Sequence, residues 1–222
     1  MKYTTILFDF DGTLLESGHC ILTAMRSTLA QMGFIEMAER SEEALTPLVG
    51  PPLREGFANH LKLPPNRVDE AMDIYRFHAA TEKALDQLRP YPGIPELLRK
   101  LRANGVKIGM ATAKLYSVTI MHLEVSGLGG LMDYVSATKT DHGCDKTKLI
   151  LEAMEALGAD PNRTLMVGDR MYDMEAAVRA GIPGIGVLYG YGSREELETY
   201  GATIIVESVE QLSNLLTEQE EP

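Results

Sequence analysis

The chain has 222 residues, 45% of them hydrophobic, a net charge of −11 and a sequence pI of about 4.9. That length buries a sizeable core as one domain, or as one large domain plus a small one. An acidic balance excludes general binding to nucleic acid, which draws most of its affinity from basic side chains, and two cysteines, Cys20 and Cys144, exclude a disulfide framework. In chain order, an apolar strand pattern over 4–9 ends in Asp9-Phe10-Asp11-Gly12-Thr13. Residues 15–88 then hold no convincing strand; amphipathic stretches at 21–32, 53–61 and 68–88 read as a helical insertion. The chain returns through Arg89-Pro90-Tyr91-Pro92-Gly93, a stiff segment suited to a hinge or join. From there helix patterns at 94–103, 115–126, 146–157, 171–180 and 195–200 alternate with strand patterns at 106–112, 133–137, 164–169, 183–188 and 203–206. Gly105, Gly127, Gly158 and Gly181 stand where helix C-caps belong. Strand and helix in turn predict an α/β fold, a doubly wound (Rossmann-like) parallel sheet core with an inserted α-helical cap domain. The expected core is 1–14 with 89–222, and the expected cap is 15–88.

Three strand ends carry chemistry. Asp9 and Asp11 stand at i and i+2, which an extended chain projects to one side, and Gly12 supplies the freedom to leave the strand. Two carboxylates held together repel, and a divalent cation relieves that repulsion. The run 164–169 stops at Gly168-Asp169, with Asp173 four residues on, in the first turn of a helix. Between them, 106–112 closes on Thr112, followed by Ala113 and Lys114, a hydroxyl and a backbone amide that suit an anion. Ligands of open parallel sheets bind at such carboxyl ends, where the strand order reverses.

These residues closely resemble the haloacid dehalogenase superfamily, whose aspartate-based phosphatases carry D-x-D-G-T, a Thr or Ser strand end, a Lys and G-D-x-x-x-D. Here those are Asp9 to Thr13, Thr112, Lys146 and Gly168-Asp169-Arg170-Met171-Tyr172-Asp173, with Tyr91-Pro92-Gly93 and Tyr189-Gly190-Tyr191-Gly192 extending the similarity. The insertion after the first motif resembles the small helical cap of the phosphoglycolate phosphatase-like and β-phosphoglucomutase-like branch. The resemblance implies a Mg²⁺-dependent phosphatase that hydrolyses a small phosphate monoester through an aspartyl-phosphate. Asp9 is the implied nucleophile and Asp11 the acid and base. Thr112, Ala113 and Lys146 are the implied phosphate ligands; Asp9, Asp11 (through its backbone carbonyl), Asp169 and Asp173 are the implied metal site.

Among substrates, 2-phosphoglycolate is the first expectation. The Lys-Pro pairing of simple phosphoglycolate phosphatases is absent after Lys146, which is shared with the bacterial 5′-nucleotidase-like group. Phosphomutase chemistry is a further alternative, although His19 lies two residues too near Asp11 for the mutase histidine. A receiver-like phospho-acceptor module is the alternative outside enzymes, and it needs no helical insertion. Arg54, after Gly50-Pro51-Pro52, is the cap's candidate for a second anionic group of the substrate. His60, His78 and His122 read as structural, and Cys144 as inert. The expected partner is a small phosphorylated metabolite, with no nucleic-acid polymer and no membrane, acting on a monomer or homodimer. With no leader pattern and no apolar run near the ~20 residues of a span, the expected location is cytoplasmic.

Overall fold

A computed structural model describes residues 2–81, 85–140 and 144–217. The chain divides into two compact units, Met1–Glu16 with Pro90–Pro222, and Ser17–Arg89. In the first unit six parallel strands form one sheet. They are β1 (Thr5–Phe8), β4 (Lys107–Leu115), β5 (Tyr134–Thr138), β6 (Thr164–Gly168), β7 (Gly184–Val187) and β8 (Ile204–Val206), in the order β5-β4-β1-β6-β7-β8. The two-residue strands β2 (Leu15–Glu16) and β3 (Arg89–Pro90) mark where the chain leaves this unit and returns.

Strand β1 lies between β4 and β6, with Phe8 level with both Met110 and Val167. It is buried along its whole length, which is why it reads as an unbroken apolar run rather than an alternating one. The sheet grows from β1 outward in both directions, so the carboxyl ends of β1, β4 and β6 meet at the switch point where such folds bind ligands. Helices α8 (Lys146–Leu157) and α9 (Met171–Ala180) bury Ile150, Ala153, Met154, Ala176 and Ala177 in one cluster with Leu7, Ala111 and Met166. Both end on a left-handed glycine, Gly158 and Gly181, as expected.

Helices α6 (Ile94–Ala103), α7 (Tyr116–Val125) and α10 (Arg194–Thr199) match their expected runs to within a residue at each end. A helix α11 (Val209–Thr217), not expected, closes the described chain. Strand β4 departs most: it continues past Thr112 to Leu115. Thr112 pairs with Ala137 and Leu115 with Thr138, so a bulge accommodates Ala113 and Lys114.

The second unit is helical, as expected. Helix α1 (Gly18–Gln31) buries Cys20, Ile21, Leu22, Ala24, Met25, Thr28 and Leu29, a stripe at helical spacing. Single turns α2 (Ile35–Ala38) and α3 (Glu42–Leu45) follow. The stretch expected as a helix over 53–61 is one α turn, α4 (Leu53–Glu55), passing into a π turn at Gly56–His60. Helix α5 (Val68–Ala79) stops short of the expected 88: the Thr81 hydroxyl donates to the His78 carbonyl and closes the helix end. The remainder of that expectation includes 82–84, which lie outside the described residues. No helix among the described residues is long and apolar enough to cross a membrane.

Candidate active site

The chain leaves β1 at Phe8, and the turn that follows sets the acids apart. The amides of Thr13, Leu14 and Leu15 all donate to the Phe10 carbonyl, so the chain turns over 12–14, just past Asp11, which pairs with Leu15 in an isolated bridge outside β1. Asp9 joins Asp169 and Asp173, a buried trio with one carboxylate oxygen from each within 4.8 Å of the others. The Asp11 carboxylate lies outside that trio, with both oxygens against Lys114 Nζ at 3.0 and 2.8 Å.

Each acid of the trio is held by a different device. Asp169 Oδ1 accepts from the Thr13 hydroxyl at 3.1 Å and Oδ2 from the Tyr191 amide at 2.9 Å. Asp173, in the first turn of α9, accepts from the Arg170 amide at 3.0 Å, the N-terminal position where a carboxylate satisfies an otherwise unpaired backbone donor. Glu196 steadies the same helix start, accepting from Arg170 Nε at 2.9 Å and the Met171 amide at 2.7 Å. Lys146, the first residue of α8 after the N-cap Asp145, places its ammonium 2.8 Å from Asp9 Oδ1 and against Asp173 Oδ1. Apart from that ammonium, neither oxygen has a hydrogen-bond partner among the described residues.

Two glycines permit this closeness. Gly12 turns at φ +81, where a side chain is strained. A Cβ on Gly190 would overlap Asp169 and the Gly12 carbonyl oxygen, so the Tyr189–Gly192 loop rests directly on the acid it hydrogen-bonds. The Tyr189 hydroxyl donates to the Thr13 carbonyl at 3.2 Å, and its ring meets Tyr91 edge-on at 4.9 Å.

Three buried carboxylates and one ammonium leave a surplus of negative charge. Burial pushes the Asp9 carboxyl up to about 6, the Lys146 ammonium opposes this and Asp173 adds to it. Burial, Asp173 and Asp9 push Asp169 well above the usual carboxylate range. For Lys146, burial favours the neutral amine, but Asp173 and Asp9 together outweigh it and raise its pKa. A divalent cation bound by oxygens is the group that such a donor set fits: the carboxylates of Asp9, Asp169 and Asp173 would hold it, and its charge would offset the surplus.

Thr112 is buried two residues past Met110, the partner of Phe8, and its hydroxyl oxygen accepts from the Lys114 amide at 3.3 Å. Ala113 lies in the bulge. Thr112, Ala113 and Lys146 thus belong to the unit and strand ends that hold the acids. Arg54 belongs to the helical unit, where it pairs with Asp69. Sequence reasoning named Lys114 only as the residue after Thr112 and Ala113, and passed over the Thr13 hydroxyl, the Tyr191 amide and Glu196 as supports of the trio.

Residues 6–187 match the family described as haloacid dehalogenase-like hydrolase. A pyrophosphatase PpaX from Anoxybacillus flavithermus is 31% identical over 218 residues, covering 97% of this chain and 98% of that protein. The crystal structure of a predicted phosphatase from Clostridium acetobutylicum superposes with a TM-score of 0.89 at 32% identity, covering 97% of this chain and 99% of the other. A predicted phosphoglycolate phosphatase from Haemophilus somnus shares the fold at a TM-score of 0.82 and 21% identity, with 97% of each chain covered. With the acidic trio at the switch point of the sheet, these likenesses establish that the chain belongs to the haloacid dehalogenase-like hydrolase family.

Proposed function

We propose that this phosphatase is Mg²⁺-dependent, forms an aspartyl-phosphate on Asp9, and acts on a small phosphate compound, with pyrophosphate the first candidate. The observation that carries the reading is Asp9 itself, a buried carboxylate at the end of β1, grouped with Asp169 and Asp173 and touched by Lys146. The sequence favoured 2-phosphoglycolate. The pyrophosphatase relative supports pyrophosphate more strongly, because it is 31% identical along almost the whole chain, whereas the phosphoglycolate phosphatase neighbour at 21% supports the fold alone.

In this reading an Asp9 oxygen attacks phosphorus, dividing one hard displacement into two easier ones. The Thr112 hydroxyl, the Ala113 amide and the Lys146 ammonium hold the phosphoryl oxygens, already oriented where charge develops. Asp11 takes the proton from the water that hydrolyses the acyl phosphate, and gives one to an alkoxide leaving group. A Mg²⁺ held by the carboxylates of Asp9, Asp169 and Asp173 would supply positive charge to offset the anions of the site. The helical unit Ser17–Arg89 is proposed as the cap that selects substrate, with Arg54 its candidate anion contact.

Phosphate release from pyrophosphate, 2-phosphoglycolate, nucleoside 5′-monophosphates, sugar phosphates and p-nitrophenyl phosphate, each with Mg²⁺ and with excess chelator, tests this. Mg²⁺-dependent release that favours pyrophosphate is expected; release unaffected by chelator contradicts the metal reading, and sugar-phosphate interconversion without release would point to a mutase.

Two further outcomes follow from the trio. A carboxyl whose folded pKa is raised contributes stability at low pH that is lost as pH climbs from its unfolded to its folded value, for Asp9 from 3.8 to about 6. Without metal, that loss is at most a few kcal/mol. Thermal melts should therefore show Mg²⁺ raising Tm more at a pH of about 7.5 than at about 5, where protons occupy the same oxygens; an equal gain at both would show that the metal binds elsewhere. The second outcome concerns Gly190→Ala. By lifting Tyr191 off Asp169, it should raise the Mg²⁺ concentration needed for half-maximal activity by roughly 10- to 100-fold, read from a metal titration.

A further inference from the structure

The bulge in β4 presents a lysine that the steps above leave without a role. Lys114 Nζ lies 3.0 and 2.8 Å from the two oxygens of Asp11, and the side chains of the pair are only 11% and 16% exposed. Asp11 must reach the leaving-group oxygen or the attacking water, and it meets neither while one ammonium covers both of its oxygens. A second neighbour shares this corner. His122 of α7 is buried, with both ring nitrogens lacking a hydrogen-bond partner among the described residues, and burial first, then the charge of Lys114, keeps its ring neutral.

We propose that Lys114 is a cation with two stations: it clamps Asp11 in the free enzyme and moves onto the leaving group when that group is itself a phosphate. The inference rests on the Asp9 reading above and deepens it, since it makes phosphoanhydrides the favoured substrate class. An Asp9 oxygen forms a bond to phosphorus, and the bridging P–O bond breaks with its electron pair passing to the departing phosphate. Lys114 pairs with that charge and keeps its proton. Asp11, uncovered, takes a proton from water as the water oxygen attacks phosphorus. The Asp9–phosphorus bond then breaks, and its electrons return to the carboxylate. A phosphate leaving group demands only a counter-charge, and Lys114 stands beside the residue that faces it.

Lys114→Met tests the proposal through the ratio of kcat/KM for pyrophosphate to that for p-nitrophenyl phosphate, whose leaving group carries no second phosphate. The variant should lose roughly 10²-fold on pyrophosphate and less than about a tenth of that factor on the aryl ester, and Lys114→Arg should recover part of the pyrophosphate rate by keeping the charge. Equal losses on both substrates, or an unchanged ratio, would overturn the proposal and leave Lys114 a structural partner of Asp11. Should the Met variant fail to fold, Lys114→Gln takes its place with the same reading: a selective loss on pyrophosphate supports the proposal, and an unchanged ratio overturns it. Asp9→Asn separates the two levels. If it stays active, the nucleophile reading fails. If it is inactive on both substrates while the Lys114→Met ratio is unchanged, only the lysine inference fails.

Discussion

Asp9→Asn is expected to abolish turnover, by at least about 10⁴-fold, with the fold intact. The amide matches the carboxylate in shape but is not a competent nucleophile toward phosphorus, and no neighbour can replace it: Asp169 is held by Thr13 and Tyr191, and Asp173 by the Arg170 amide. The change also removes one of three crowded negative charges while Lys146 keeps Asp173 as partner. In chelator the variant should therefore melt no lower than the wild type, although its affinity for Mg²⁺ falls. A native melt with lost activity separates chemistry from folding, and a wild-type rate would sink the assignment.

Lys146→Met carries the second large effect, and it is double. Among the described residues the Lys146 ammonium is the ion-pair partner of both Asp9 and Asp173, which are buried. Removing one member of a buried pair leaves uncompensated charge and costs about 3–5 kcal/mol. Denaturant melts in chelator should show a loss of that order, reduced by Mg²⁺, whose charge stands in for the lysine. Activity should fall by roughly 10²- to 10³-fold from the lost counter-charge to the phosphoryl group, even where metal restores the fold. An unchanged kcat/KM would remove Lys146 from the phosphate site.

The parallel sheet was legible because a strand buried on both faces must be a continuous apolar run, and 4–9, 106–112 and 164–169 are such runs. Their ends, with acids and a threonine, pointed to the site for the same reason. Three things were not legible. A bulge breaks the period of two, so no alternation pattern places Ala113 and Lys114, and the clamp on Asp11 stayed hidden. Backbone donors leave no trace in side-chain identity, which concealed the Tyr191 amide beneath Asp169. The tight turn over 12–14, where the single Phe10 carbonyl accepts three amides, is likewise a backbone arrangement that side-chain identity does not spell out. The helix over Val209–Thr217 did leave a signal, Ser208 three residues before Gln211 and Leu212 four before Leu216, a capping pattern and an apolar stripe.

The aspartyl-phosphate is the central claim, and trapping it is the most direct measurement. Turnover of pyrophosphate with Mg²⁺ is quenched with borohydride, which reduces an acyl phosphate to the alcohol, and the peptides are read by mass spectrometry. Homoserine at position 9, dependent on substrate and absent after chelation, is the predicted result. Continued phosphate release with Asp9 unmodified, or reduction at a different aspartate, would contradict it.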